Sequence, residues 1–456
     1  MGGGRMRKAA ARLLIAGTGS GCGKTTVVCA VLQALKNRGC DLAAFKCGPD
    51  YIDPMFHTEI IGAPSANIDL FFADEGLARA RFLAHAADIN VIEGVMGYYD
   101  GLAMDSDEAS SYHVARALDA PAVLVVNGRC MALSAAAVVR GFQSLRKPSR
   151  ISGVIFNRVS PMSYPRLKAA VEAECGIRVY GYLPACPECS LESRHLGLVT
   201  AQEVQNLRDK MLRLAEQAER SVDLDGLVEL MRAQAPLEAQ TQEIQPEGHA
   251  RIAVARDRAF CFYYRDNLEL LQALGAQLVP FSPLADARLP DCDGLLIGGG
   301  YPELYARELQ ANASMRASIR DAVGRGVPTI AECGGFMLLC ACIGACEMAG
   351  VIPARCHDTG KLSRFGYVTL TAGEESLLFR PGDSVRAHEF HYWDADDPGA
   401  ALTARKNGGR EWKCGWVSES MYAGYPHLYL YSDVEAARRF VRKCSERRMR
   451  HEADGN

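Results

Sequence analysis

Leu13-Leu14-Ile15-Ala16-Gly17-Thr18-Gly19-Ser20-Gly21-Cys22-Gly23-Lys24-Thr25-Thr26 decides how the first half of the chain is read. Its four leading apolar residues give a short buried strand that runs straight into glycines. A helical pattern follows at 27–36. Strand, glycine-rich turn and helix in that order make an anion site, because glycines let successive backbone N–H groups curl toward one phosphate. The helix N-terminus adds its partial positive charge. Gly19, Ser20, Gly21, Cys22, Gly23, Lys24, Thr25 and Thr26 are therefore the nucleotide-binding candidates for ATP. Lys24 is placed to reach the β- and γ-phosphates, and the Thr25 hydroxyl to ligate Mg²⁺.

Five residues separate Gly17 from the Gly23-Lys24 pair, so the common spacing is met only with Thr18 in the place of the first glycine. Dethiobiotin synthetases show a similar stretched loop, which points toward a ligase. Outward from the loop, short apolar runs at 42–45, 90–93, 122–126 and 151–156 alternate with helical patterns such as 112–118. This predicts an α/β domain with a mostly parallel sheet buried on both faces. Val204, Leu207, Met211 and Leu214 recur at helical spacing within 201–235.

In parallel sheets, ligands collect at the carboxyl ends of strands. Lys46-Cys47-Gly48-Pro49-Asp50-Tyr51-Ile52-Asp53-Pro54 follows the second strand, and Glu93-Gly94-Val95-Met96-Gly97 follows the third. Asp50 and Glu93 are expected to hold Mg²⁺ alongside Thr25. Lys46 and Asp53 are expected to meet a substrate carboxylate or phosphoryl group. For any one of these carboxylates, a helix cap is the alternative.

Residues 1–235 thus form a first domain. The stretch 236–250, rich in Gln, Glu and Pro, reads as a linker. A second α/β series occupies 251–445, with strands at 252–255, 277–280, 294–297 and 327–331 and a helix at 264–274. Residues 446–456 read as a tail, and the basic stretch 438–450 as a solvated helix end. Of the 456 residues, 48% are hydrophobic and 23% charged, the balance of a soluble globular protein. A net charge of −3 argues against a nucleic-acid-coating surface. No apolar run is long enough to span a membrane, and the run 13–16 is too short for a signal peptide. Seventeen cysteines spread along such a chain read as free thiols in a reduced, cytoplasmic enzyme.

In the second domain, Val327-Pro328-Thr329-Ile330-Ala331-Glu332-Cys333-Gly334-Gly335-Phe336 has the form strand, sharp turn, helix, which projects a nucleophile clear of the backbone. Cys333 is the candidate for attack on the side-chain amide of L-glutamine, giving a thioester and ammonia. Backbone N–H donors for the oxyanion are expected from Gly334 and from Gly299 and Gly300. His427, in Tyr425-Pro426-His427-Leu428-Tyr429, is the candidate base. Two residues on, where triad amidotransferases carry a glutamate, stands Tyr429, so the site reads as a Cys–His dyad without an identified orienting group. His388-Glu389-Phe390-His391 does not match the zinc-protease spacing and reads as substrate-lining or structural. Cys186 and Cys189, and the cluster Cys340, Cys342 and Cys346 on an expected helix behind Cys333, read as free thiols rather than metal ligands.

Taken together, the loop 17–26, the segments 46–54 and Glu93-Gly94-Val95-Met96-Gly97-Tyr98-Tyr99-Asp100-Gly101, Arg194-His195-Leu196-Gly197-Leu198, residues 331–335 and His388-Glu389-Phe390-His391-Tyr392 resemble the cobyrinic acid a,c-diamide synthase family, in family order over almost the whole chain. The resemblance implies a dethiobiotin-synthetase-like P-loop domain followed by a flavodoxin-like class I glutamine amidotransferase domain. It also implies ATP-dependent phosphorylation of the c and then the a acetate of a tetrapyrrole (corrinoid) polycarboxylic acid, with ammonia tunnelled from the glutaminase displacing phosphate. Tyr98 departs from a frequent leucine, and Cys186 and Cys189 fall where the family is less cysteine-rich. His57, Tyr51 and Arg194 are candidate macrocycle contacts, and a homodimer is a candidate assembly. Two rivals stay open: the same reaction on hydrogenobyrinic acid or nickel sirohydrochlorin, and a P-loop switch ATPase with a non-catalytic glutaminase-like binding domain. The switch ATPases usually carry a second lysine early in the loop, where this chain has Thr18-Gly19-Ser20-Gly21.

Overall fold

The computed structural model describes residues 3–189 and 201–454. Two compact units share the chain, Met1–Glu243 and Ile244–Asn456.

The first unit is built on β2 (Ala11–Gly17), which follows a short β1 (Gly3–Lys8). Its sheet adds β3 (Leu42–Cys47), β4 (Ser65–Ile68), β5 (Ile89–Glu93), β6 (Ala122–Asn127), β7 (Ile151–Asn157) and β8 (Arg178–Leu183). The spatial order is β4-β3-β5-β2-β6-β7-β8, with every pair parallel. Leu13, Leu14, Ile15 and Ala16 are wholly buried because helices cover both faces of the sheet. At β2 the strand order reverses direction, and a crevice opens beyond the strand's carboxyl end. Helix α1 (Lys24–Asn37) starts there. Gly23 caps it at φ 96°, and a Cβ on Gly23 would lie 1.9 Å from Asn157 Nδ2, so the loop closes only with glycine at this position.

The expected 236–250 linker is partly a strand. Residues Leu237–Gln242 form β9, antiparallel to β1 from Gly3↔Gln242 to Lys8↔Leu237. Only Leu237 and Ala239 of β9 are buried, alternating with polar residues, and such a half-buried strand has no continuous apolar run to betray it. Arg5 and Arg7 pair with Glu238 across this ribbon. The helical stretch at 201–235 is two helices, Ala201–Ser221 and Leu224–Arg232, the second capped by the Asp223 carboxylate accepting from the Gly226 N–H.

In the second unit the strands Ala276–Phe281, Ala250–Ala255, Gly294–Ile297, Thr329–Glu332 and Met421–Gly424 lie side by side and parallel, with Trp416–Ser418 antiparallel at the edge. A second sheet is antiparallel and runs Glu411–Cys414, Leu402–Arg405, Arg364–Ala372, Ser384–His391, His427–Leu428. The expected helix carrying the three cysteines ends at Leu339. Beyond it Cys342–Ile343 and Cys346–Glu347 pair as a hairpin. The expected tail is also corrected. Val434–Asp454 is one helix whose inner face, Ala436, Ala437, Phe440, Val441 and Cys444, is fully buried. Among the described residues, no helix is long and apolar enough to cross a membrane.

Candidate active sites

At the carboxyl end of the first unit's sheet, Glu93 is the hub. It is fully buried as the last residue of β5, next to β2 on one side and β3 on the other. The Thr25 hydroxyl donates to its Oε1 at 2.6 Å, and Lys46 Nζ approaches the same oxygen at 3.0 Å. His57 Nε2 lies 3.1 Å from Oε2. Burial works to raise the Glu93 carboxyl, but Lys46, His57 and Thr25 outweigh it and hold it well below the usual range. Lys46 also ion-pairs with Asp53. Its burial is outweighed by Glu93, Asp53 and Asp50, which keep it charged. Asp53 is pushed up to about 6 by burial and then by Glu93, against the pull of Lys46.

The loop candidates surround this hub. Lys24 is nearly buried and donates to the Gly19 carbonyl at 3.0 Å and to that of Met96. Burial first, and Lys46 in addition, lower its pKa. Asp50 turns one oxygen inward to accept the N–H groups of Ile52 (2.8 Å) and Asp53 (3.2 Å), at the start of the helix Ile52–Phe56. One residue, Asn157, escaped the sequence reading, and another, His57, was read in a different place. Asn157, at the end of β7, donates to the Cys22 carbonyl at 3.0 Å and so pins the loop. His57, expected on the macrocycle, is instead wholly buried against Glu93, a correction that burial forces. Tyr51 is half-buried, and Arg194 lies outside the described residues.

In the second unit Cys333 stands between strand Thr329–Glu332 and helix Gly334–Leu339 at φ 50°, ψ −102°. A side chain rarely adopts that conformation, and it is held here by the Cys333 N–H donating to the Gly424 carbonyl at 2.7 Å. A Cβ built on Gly299 would lie 2.4 Å from His427 Cε1, 3.1 Å from His427 Nε2 and 3.4 Å from Cys333 Cβ. Gly299 therefore sits against both candidate catalytic side chains, and Gly300 N would be 3.2 Å from a Cβ on Gly334. The expected oxyanion glycines and the Cys–His pair converge on one spot. Burial, then Glu303, raises the Cys333 thiol, while the Gly334 N–H aimed at its sulfur pulls the other way.

Three further carboxylates lie around this centre. Glu303 and Glu389 are each pushed up to about 7, chiefly by burial. Glu332 accepts the Leu428 N–H at 3.0 Å, with its other oxygen 3.8 Å from His427 Nδ1. His388 lies opposite His427 across the antiparallel pair. Burial, then His427, lowers His388 to about 3. His391 is held by Nδ1 donating to the Trp393 carbonyl at 2.6 Å and stacks on Tyr425. Elsewhere, ligand atoms of Cys186, Glu188 and Cys189 come within 4.8 Å of one another, with both thiols free.

Two family profiles match the chain, the CobQ/CobB/MinD/ParA nucleotide binding domain over residues 13–199 and the CobB/CobQ-like glutamine amidotransferase domain over 251–434. A cobyrinate a,c-diamide synthase of Gloeobacter violaceus is 43% identical over 441 residues, covering 95% of this chain and 96% of its own. Those of Salmonella typhimurium and Listeria innocua are 41% and 40% identical, with 91% and 92% of this chain covered and 94% and 97% of theirs. The chain belongs to the cobyrinate a,c-diamide synthase family. As in that family, a nucleotide-binding unit precedes a glutamine amidotransferase unit. The Glu93 hub falls within the first profile, and the centre of Gly299, Cys333 and His427 within the second.

Proposed function

We propose that this chain amidates the a and c acetate carboxylates of cobyrinate, using ATP and glutamine, in cobalamin synthesis. The observation that carries the reading is the meeting of Cys333, His427 and Gly299 at a strained strand–helix turn, which a merely binding domain does not need.

In the glutaminase half, the Cys333 thiol gives its proton to His427 and the sulfur attacks the amide carbon. The oxyanion that forms faces the N–H groups of Gly299, Gly300 and Gly334. Collapse breaks the C–N bond as the imidazolium returns its proton to the leaving nitrogen, so NH₃ departs and a thioester remains. Water then gives a proton to His427 as its oxygen attacks the thioester carbon, the C–S bond breaks to release glutamate, and the imidazolium returns the proton to the Cys333 sulfur.

In the synthetase half, a substrate carboxylate oxygen attacks the γ-phosphorus of ATP and ADP leaves. Ammonia attacks the acyl phosphate, phosphate departs, and loss of a proton leaves the amide. A bare carboxylate is a poor acyl donor, which is why the phosphoryl group is required. Lys24 neutralises the phosphates in this reading, while Lys46, pinned between Asp53 and Glu93, faces the reacting carboxylate. Thr25, Asp50 and Glu93 offer hard oxygen donors, a set that suits Mg²⁺. Bound there, Mg²⁺ would screen the charge of the phosphate oxygens.

The test is a mass-resolved assay with cobyrinate, hydrogenobyrinate or nickel sirohydrochlorin plus ATP and glutamine. Two acid-to-amide replacements on cobyrinate, with ATP consumed, are expected. Cys333→Ser should abolish glutamine use and keep amidation from free ammonia. No nucleotide consumption with any of the three pigments would sink the reading.

A further inference from the structure

A histidine that accepts a proton on Nε2 must carry its own proton on Nδ1, and in a buried site that N–H requires an acceptor. In this chain the position two residues after His427 does not supply one. It is Tyr429, whose hydroxyl donates to Asp266 at 2.7 Å. A carboxylate arrives instead from the nucleophile's own strand. Glu332, the residue before Cys333, has Oε1 fixed by the Leu428 N–H at 3.0 Å and Oε2 3.8 Å from His427 Nδ1. Both side chains are nearly buried, at 10% and 3% exposure. Cε1 and Nε2 of the same ring lie against Gly299, beside Cys333.

We propose that Glu332 is the positioning residue of the glutaminase, holding His427 with Nδ1–H toward its carboxylate and Nε2 toward the Cys333 thiol. The inference rests on the reading of Cys333 as nucleophile. When the thiol proton moves to Nε2 the ring becomes an imidazolium, and a carboxylate at its far edge stabilises that charge. A separation of 3.8 Å exceeds a hydrogen bond. Catalytic contacts of this kind tighten in the reacting complex, and the last torsion of a glutamate is soft enough to close the gap while Oε1 keeps Leu428. His388 faces the ring from the paired strand but is held neutral by burial, and His391 is committed to Trp393. Because orienter and nucleophile are consecutive residues, the base is registered against the very turn that presents the thiol.

Full-length protein carrying Glu332→Gln or Glu332→Asp decides the matter in a steady-state assay of ammonia release from glutamine. Glutamine at this position keeps an acceptor for Leu428 and removes only the charge. The expected result is a kcat lowered about a hundredfold or more with KM for glutamine changed less than about twofold. The aspartate variant should fall between wild type and the glutamine variant, and it carries the test alone if the latter does not fold. In a His427→Ala background, Glu332→Gln should cost nothing more in Cys333 alkylation rate, because its effect passes through the ring. A kcat within about threefold of wild type for Glu332→Gln, an aspartate variant no better than the glutamine one, or an additive loss in the His427→Ala background each overturns the inference. Wild-type protein that releases no ammonia from glutamine defeats the glutaminase reading itself, a separate result.

Discussion

A single absent side chain organises the second centre. Where Gly299 would carry a Cβ, His427 and Cys333 already stand, and Gly299→Ala would force the imidazole off its line to the thiol. Glutamine-dependent ammonia release should fall by about a hundredfold or more, as expected when a proton-transfer partner is displaced. The same variant should still use free ammonia for amidation, and loss of both activities would mean that the substitution damages the unit as a whole. The strand–turn–helix placement of Cys333 and Lys24 is legible in sequence because it is written in local spacing. Glu332 and His57 are not. Each matters through a partner remote along the chain, His427 for one and Glu93 for the other, and only the folded sheets bring them together. Lys46 shows the converse. Its position at the carboxyl end of β3 was readable, but its two ion pairs were not.

Among elements, the parallel strands announced themselves as continuous apolar runs because both faces are covered. The antiparallel sheet did not. Strand Arg364–Ala372 buries only alternate positions along half its length, so no run marks it, and this sheet carries His388 and His391. His388 is buried neutral, its pKa lowered from 6.5 to about 3, so the unfolded chain binds a proton there that the folded chain refuses. Its contribution to stability is present above pH 6.5 and drains away as pH falls toward 3. Replacing it with glutamine removes that liability. Between pH 6.5 and 5 the His388→Gln variant should gain up to about 2 kcal/mol relative to wild type, read as the difference in unfolding free energy across the pH series. A difference that stays flat with pH would show that His388 titrates in the fold as it does in water. Glu303 and Glu389 shift the opposite way, which is why the comparison must be variant against wild type and not the raw pH curve.

At the scale of the whole molecule, each unit has its own apolar core, one centred on α1 and Met211, Leu214 and Ala218, the other on Leu270, Leu271, Phe440 and Val441. Unfolding should therefore resolve into more than one transition. ATP with Mg²⁺ at about a hundred times its dissociation constant should stabilise the first unit by about 2.7 kcal/mol and leave the second transition where it was. Scanning calorimetry with and without nucleotide checks this, and an equal shift of both transitions would show that the units melt together. The two-domain plan was legible from the change in composition near residue 236, and the division after Glu243 falls inside the stretch read as a linker; the strand within that stretch was not legible, because polar strands lack a signature of their own. The β1–β9 ribbon carries a practical corollary. Entry and exit of the first unit are zipped into one seam, so its ends meet at a single point on the surface and joining them elsewhere would leave the seven-stranded sheet intact. Cloning designs that start at Ala9 would remove the strand that pairs with β9 and leave a sticky strand edge, whereas a fusion placed ahead of Met1 keeps the zipper whole.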